Sequence, residues 1–433
     1  MLRPDQQKEL KESPIQNFIT WHCVWNKNSL STPCRMVFNA SHSSRGRRSL
    51  NSILAKGMNN MNSLLEILLR WSTHPYAFHA DIHKMYNSVL LDPSHWCYQR
   101  FWWQDELDPS NPVVQMIVKT IIYGVKSSGN QAERALRLTA TKMEDKFPKA
   151  ANIVKNDIYV DDCLSGDVSV EAGRAAYESV SELIRHGGFS TKGVTFSGEN
   201  PPEGLTEDGI SINVAGSKWL SKEDRLRLCC GELIFGKRNQ GKRSCSKVEV
   251  VPVKFSRKEC AGNVAGIFDL RGNVAPIVGG LKLNLRELSM RKLQWDDVIP
   301  EDLRQLWTSK FEMIQELACI TFKRCVIPED ALNLDMETLE FGDASGSLIC
   351  AAVYVRVKRR NGQYSCQLLF ARTKLLPLGT TTPRGELAAA ELNATTGFVV
   401  RRSLGKYQKG YYEFTDSQIT LCWINCQDKP LKQ

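Results

Sequence analysis

The chain has 433 residues, 57 of them Lys or Arg and 47 Asp or Glu, for a formal net charge of +10; 42% are hydrophobic and 24% charged. That length suits about two to four domains, each with its own core, and the composition excludes collagen, coiled coil and wholesale disorder. No run approaches the ~18 consecutive apolar residues of a membrane span, and no apolar signal core opens the chain, so a soluble intracellular protein is expected. The fourteen Cys include no C-x-x-C pair and read as reduced thiols. The positive balance points to a polyanionic partner, because basic surfaces release counterions from phosphate backbones.

Residues 1–20 are polar and read as frayed. From Trp21 to Ala55, short apolar pieces alternate with Ser, Asn and basic clusters, which predicts strands around a basic loop at Ser43–Arg48. Met61, Leu64, Leu65, Leu68 and Leu69 share one stripe and predict a helix over Asn60–Trp71. Tyr76–Ile82 reads as a strand carrying Asp81 near its end, and Trp96–Trp103 as an aromatic strand. A helix over Ala132–Phe147 is stopped by Pro148. Asn152–Val160 then leads as a strand into a tight turn at Asp161-Asp162, with a return strand from Cys163. A helix over Val170–His186 ends at Gly187-Gly188. Residues 237–258 form a basic connecting segment, followed by helices over Ala275–Leu293 and Pro300–Thr321. From Leu339 the order β, β, β, α, β, α describes a separate α/β domain.

Asp161-Asp162 at a hairpin turn, with Asp81 at the end of another strand, is the strongest chemical signal. Crowded carboxylates repel unless a cation neutralises them, and hard oxygen ligands suit Mg²⁺. A pair of such ions can activate an attacking hydroxyl and steady a leaving pyrophosphate. By itself, an acidic pair at a turn is more often simply a solvated turn.

Tyr159-Val160-Asp161-Asp162 resembles the Y-x-D-D signature of reverse transcriptases, and the strand carrying Asp81 resembles their first acidic motif. Arg35-Met36-Val37-Phe38-Asn39-Ala40-Ser41, Ser49-Leu50-Asn51 and Ala80-Asp81-Ile82-His83-Lys84-Met85-Tyr86-Asn87, in that order, resemble the polymerase of BEL/Pao long-terminal-repeat retrotransposons. The resemblance implies an α/β (α+β) right-hand polymerase with fingers and palm over 21–225, a basic and helical connection over 226–335, and an incomplete ribonuclease H-like domain over 336–433. It implies RNA- and DNA-templated DNA synthesis within a retrotransposon polyprotein, with two Mg²⁺ ions. Template-primer and dNTP are the implied partners, and no membrane. The implied location is cytoplasmic, in virus-like particles, or nuclear.

Within the resemblance, Asp81, Asp161 and Asp162 are the implied catalytic metal ligands, joined by the backbone carbonyl of Ile82. Tyr86 matches the aromatic that obstructs a ribose 2′-hydroxyl. Arg35, Lys27 and Lys192 match cations that meet the triphosphate. Gly124, Gly129 and Asn130 lie in a loop matched to the one beside the nascent base pair, and Gly216 and Trp219 in a hairpin matched to the one that grips the primer. Asn39 stands where the family usually has Asp.

Asp343, Glu386 and Asp416 fall on strand, helix and strand in the order of a ribonuclease H metal site. The family's fourth acid has no match before the sequence ends, which leaves ribonuclease activity in question. Asp343-Ala344-Ser345-Gly346 is one residue too long for the D-[ST]-G turn of an aspartic peptidase and has no second copy, so a peptidase reading is set aside. The rival reading is a noncatalytic nucleic-acid-binding remnant or a domesticated retroelement protein.

Overall fold

The computed structural model describes residues 17–25, 33–43, 46–104, 110–206, 208–230, 232–236 and 250–426. It divides into two compact units, the first comprising residues 1–63, 76–196 and 201–209 and the second residues 64–75, 197–200 and 210–433.

The first unit opens with an antiparallel hairpin of β1 (Thr20–Trp25) and β2 (Cys34–Asn39). Asn17–Ile19, read from sequence as frayed, are instead ordered: the Asn17 and Ile19 amides donate to the Cys97 and Arg100 carbonyls, and Ile19 is buried with Ala40, Leu50, Phe101 and Ile122. A four-stranded antiparallel sheet follows, with β3 (Tyr76–Ile82) at its centre. A second hairpin joins β4 (Arg100–Trp103) to β5 (Val114–Ile117). The aromatic strand expected over Trp96–Trp103 begins only at Arg100. Pro93–Tyr98 form a 3₁₀ segment, because Pro93 sets the first turn and the Asp92 carboxylate accepts from the Ser94 amide.

In the central sheet, β3 is flanked by β7 (Asp162–Asp167) and β8 (Thr191–Phe196), with β6 (Ile158–Tyr159) beyond β7. Strand periodicity sends Tyr76, Phe78, Ala80 and Ile82 to one face. There they meet the apolar stripes of α1 (Ser128–Lys142), α2 (Pro148–Asn156) and α3 (Val170–Arg185), including Leu136, Ile153, Val180 and Leu183. His79 and Asp81 take the opposite face. The helix expected to run to Phe147 ends at Lys142, and Pro148 does not stop it but starts α2. The segment expected to be a strand from Asn152 buries Ala150, Ala151, Ile153 and Val154 at helical spacing, and only Ile158–Tyr159 are extended.

The second unit contains the antiparallel sheet of β9 (Ser211–Val214), β10 (Ser217–Leu220), β11 (Arg225–Leu228) and β12 (Thr321–Lys323). Next to it lie α4 (Arg257–Ala265), α5 (Ala275–Met290) and α6 (Glu301–Leu317), whose core centres on Trp307, Phe311, Leu281 and Leu288. A capping box fixes the start of α4: the Ser256 hydroxyl accepts from the Glu259 amide, and the Glu259 carboxylate accepts from the Ser256 amide. The basic stretch expected over 237–258 lies mostly outside the described residues. Arg324 is fully buried and donates from Nε and Nη2 to the Asp224 carboxylate at 2.6 and 2.7 Å, from Nη1 to the Trp71 carbonyl and from Nη2 to the His74 carbonyl at 2.9 Å.

Further along the same unit, β13 (Ala331–Ala344), β14 (Leu348–Arg359), β15 (Tyr364–Leu375) and β16 (Gln408–Phe414) form a sheet of order β15-β14-β13-β16, with β16 parallel to β13. Helices α7 (Thr382–Leu404) and α8 (Gln418–Asn425) complete the expected β, β, β, α, β, α order. Gly342 lets α7 approach β13: a Cβ there would lie 2.8 Å from Asn393 Cβ and 2.9 Å from the Ala389 carbonyl oxygen. Under α7, the fully buried Glu340 pairs with Arg401 and accepts from the Thr338 hydroxyl at 2.7 Å.

Gly272 is a second close approach. Its φ is +71°, and a Cβ would meet the Ala371 carbonyl oxygen at 1.9 Å. Because that neighbour is backbone, Gly272→Ala should destabilise by about 2 kcal/mol or more, read as a lower unfolding midpoint in urea. Among the described residues, no helix is long and apolar enough to cross a membrane, and every cysteine is free.

Candidate active site

The β3–β7 register sets Asp81 directly opposite Asp162, and the Ile82 amide donates to the Asp161 carbonyl at 2.8 Å. Asp81 is thus drawn to the hairpin that carries the adjacent Asp161 and Asp162. The two-residue turn is strained: Val160 has φ +56° between the paired residues Tyr159 and Asp162. Glycine is the residue usually placed at positive φ in such a turn, and a β-branched side chain there costs on the order of 1–3 kcal/mol.

Burial is the largest cause pushing the Asp81 carboxyl above its usual range, followed by the Asp161 and Asp162 charges. Asp161 is raised by burial and then by Asp162. His79 and Lys192 act in the opposite sense on Asp81, which places the exposed Lys192 of β8 within electrostatic reach of the acids. Asp162 is the acid with a fixed partner, since its Oδ1 accepts from His79 Nε2 at 2.8 Å.

Asp81 and Asp161 present half-buried hard oxygens, the donor type that suits Mg²⁺, and are the residues that could hold such an ion. Among the described residues, no three His, Cys, Asp or Glu side chains converge into a ready-made metal cage. Magnesium seldom uses one, taking instead one or two carboxylates together with water and substrate phosphates.

An aromatic pair adjoins the acids. Tyr86 and Tyr123 have ring centroids 4.2 Å apart, and the Tyr123 hydroxyl is pushed up to about 12 by burial first and then by the Asp161 charge, with Arg35 opposing. Arg35 is exposed on β2. Gly124 follows Tyr123 with φ +95°, and a Cβ there would overlap the Phe38 carbonyl oxygen at 2.2 Å, so this loop requires glycine. Asn51 fastens the loop from both sides, donating to the Gly124 carbonyl and accepting from the Lys126 amide, each at 2.8 Å. At the start of α1, Gly129 lies 3.5 Å from the Tyr86 hydroxyl when given a Cβ, and Asn130 donates to the Met58 carbonyl. Lys27 lies outside the described residues.

Tyr123 and His79 were not singled out from sequence. Tyr123 adjoins a glycine already marked, and His79 shares the Asp81 face by strand periodicity; both signals were present.

The primer-hairpin reading needs correction at one residue. Ala215 and Gly216, both at positive φ, make the turn between β9 and β10, and Gly216 packs against Phe268. Trp219 is fully buried, however, and its indole donates to Asp224 at 3.0 Å. An aromatic beside a turn has the same sequence appearance inside the core as on the surface, and here the indole N–H found an internal acceptor. The outer face of this sheet is cationic, with Lys218 opposite Arg227 and Arg225 opposite Lys323.

Asp343 lies on β13 two residues past Phe341, the last residue paired with β16; Asp416 follows the end of β16, and Glu386 at the start of α7 accepts from the Ser417 hydroxyl at 2.5 Å. Gly385 brings the start of α7 against Ala344.

The chain has a mixed α/β fold with similarity to solved viral reverse-transcriptase structures. It is similar to the foamy viral protease-reverse transcriptase dRH in complex with double-stranded DNA, with TM-score 0.57 and 13% identity over 96% of this chain and 60% of that one. The same viral protein in complex with an RNA/DNA hybrid gives TM-score 0.51 and 12% identity over 96% and 48%, and with double-stranded DNA 0.53 and 14% over 98% and 75%. The chain therefore spans 60% of the first of these and about half of the second. Residues 256–417 match the Pao retrotransposon-like RNaseH-like domain, a match that begins upstream of the boundary expected at 336. No curated protein matches the sequence. The domain match and the fold together support the resemblance to BEL/Pao retrotransposon Pol proteins.

Proposed function

We propose that the chain is an RNA- and DNA-templated DNA polymerase acting on a primer-template with dNTPs. The observation that carries this reading is the meeting of Asp81 and Asp161 at a strained hairpin, both half-buried and both held above the usual carboxylate range. Bound at these two carboxylates, Mg²⁺ would supply activation of the primer 3′-hydroxyl and neutralisation of the leaving pyrophosphate. Arg35 grips the triphosphate, for which its planar fork is suited, and Lys192 offsets charge gathering near Asp81. The loop from Gly124 allows close backbone approach to the nascent base pair. The complexes of the foamy viral protein with DNA and RNA/DNA hybrid support a nucleic-acid partner, as does the cationic sheet face bearing Lys218, Arg225, Arg227 and Lys323.

Tyr86, backed by Tyr123, is the sugar gate: its ring fills the space a ribose 2′-hydroxyl needs. Tyr86→Ala should raise rNTP incorporation relative to dNTP by roughly tenfold or more, the size expected when a steric block of ~1–3 kcal/mol is removed. Competitive incorporation on a primed RNA measures it, and unchanged discrimination would remove the assigned role. The RNaseH-like match over residues 256–417 and the neighbour's complex with an RNA/DNA hybrid support hybrid binding by this domain; RNA cleavage is not proposed. Extension of a DNA primer on an RNA template by the wild-type chain tests the reading. Tight binding without extension would favour the noncatalytic alternative.

A further inference from the structure

We propose that His79 is a positioning residue, an imidazole clamp that holds the second carboxylate of the hairpin, Asp162, to the floor of the sheet; this rests on the polymerase reading above. The bond from His79 Nε2 to Asp162 Oδ1, at 2.8 Å, crosses from β3 to β7 on the face that carries Asp81. It joins unequal environments, since the His79 side chain is 8% exposed and that of Asp162 40%. The donor is therefore anchored in the core and the acceptor sits at the rim, so the imidazole fixes the carboxylate and not the reverse.

Two features of the hairpin call for such an anchor. The turn stores backbone strain at Val160, and strained turns persist only when their surroundings over-determine them. Asp81 and Asp162 also face each other directly, where like charges push strands apart. A hydrogen bond from the imidazole to one of those carboxylates opposes both tendencies and commits Asp162 to the sheet, leaving Asp81 and Asp161 as the pair for the nucleotide and its ions.

The remaining ring nitrogen has a candidate partner. Thr195 lies directly opposite His79 across β8, hence on the same face, and its Oγ1 is buried without a hydrogen-bond partner. Donation from that hydroxyl to Nδ1 would keep the proton on Nε2, the tautomer the clamp requires.

The test uses the full chain and two substitutions. His79→Phe keeps ring volume and removes the donor; His79→Gln keeps a donor near the Nε2 position. Under single-turnover primer extension, His79→Phe should slow the maximal rate about tenfold to a hundredfold while leaving the dNTP concentration for half-maximal rate unchanged, and His79→Gln should recover most of the loss. A second readout is independent of activity: ¹⁵N-histidine NMR of the wild type should show His79 protonated at Nε2, with that signal shifted in Asp162→Ala. His79→Phe extending at the wild-type rate, or His79→Gln failing as badly as His79→Phe, would overturn the clamp. So would a ring protonated only at Nδ1 and indifferent to Asp162→Ala. A wild-type chain that fails to extend overturns the polymerase reading instead, and the NMR signal still decides whether the clamp exists.

Discussion

Asp161→Asn should bind primer-template like the wild type yet lose primer extension by on the order of a thousandfold, the scale at which removing one preorganised electrostatic partner of the reacting groups is felt. Asparagine matches aspartate in shape, so packing at the turn is kept while a charge is removed. The same substitution should not harm folding. Asp161 is held above its usual range by burial and by Asp162, which means its ionised form is disfavoured in the folded chain relative to the unfolded one. A neutral side chain relieves that repulsion, and the variant should melt at or above the wild-type temperature. Loss of activity with retained or increased stability is the signature of a residue kept for chemistry. A variant that is both inactive and unfolded at room temperature would contradict the assignment of burial and charge repulsion as the cost borne by Asp161.

Arg324→Met should produce the largest loss of stability among single substitutions, about 3–5 kcal/mol, because it leaves the Asp224 carboxylate and the Trp71 and His74 carbonyls without their shared donor. Arg324 also lies over the Trp71 ring at 5.1 Å, and Trp71 meets Trp219 edge-on at 5.0 Å, so the aromatic core loses packing as well. The double variant Arg324→Met/Asp224→Leu removes both charges and should recover part of the loss. Urea denaturation of the single and double variants measures this. Equal midpoints for wild type and Arg324→Met would show that the pair contributes nothing.

What the sequence disclosed follows from the range of the forces involved. The run β, β, β, α, β, α from Leu339 onward was readable because alternation and helical stripes are local, and the acidic hairpin because its residues are adjacent. The segment around Pro148 misled because a proline that would stop a helix also suits the first turn of a new one; here the preceding helix ends at Lys142, and the buried spacing of Ala150, Ala151, Ile153 and Val154 was the deciding signal. Trp219 was ambiguous for a different reason. Its acceptor Asp224 sits across a turn and is itself committed to Arg324, 100 residues away, and no local pattern announces such a pair. The His79–Asp162 bond spans 83 positions and depends on the register of β3 against β7, which only the folded sheet supplies.

Single-turnover addition to a DNA primer annealed to RNA, run with the full chain in Mg²⁺ and in parallel with Asp81→Asn and Asp161→Asn, tests the central claim most directly. The account predicts template-matched addition of one dNTP by the wild type and none by either variant, with all three binding the duplex equally. Extension that survives both substitutions would contradict it, as would a wild type that holds the duplex and adds nothing.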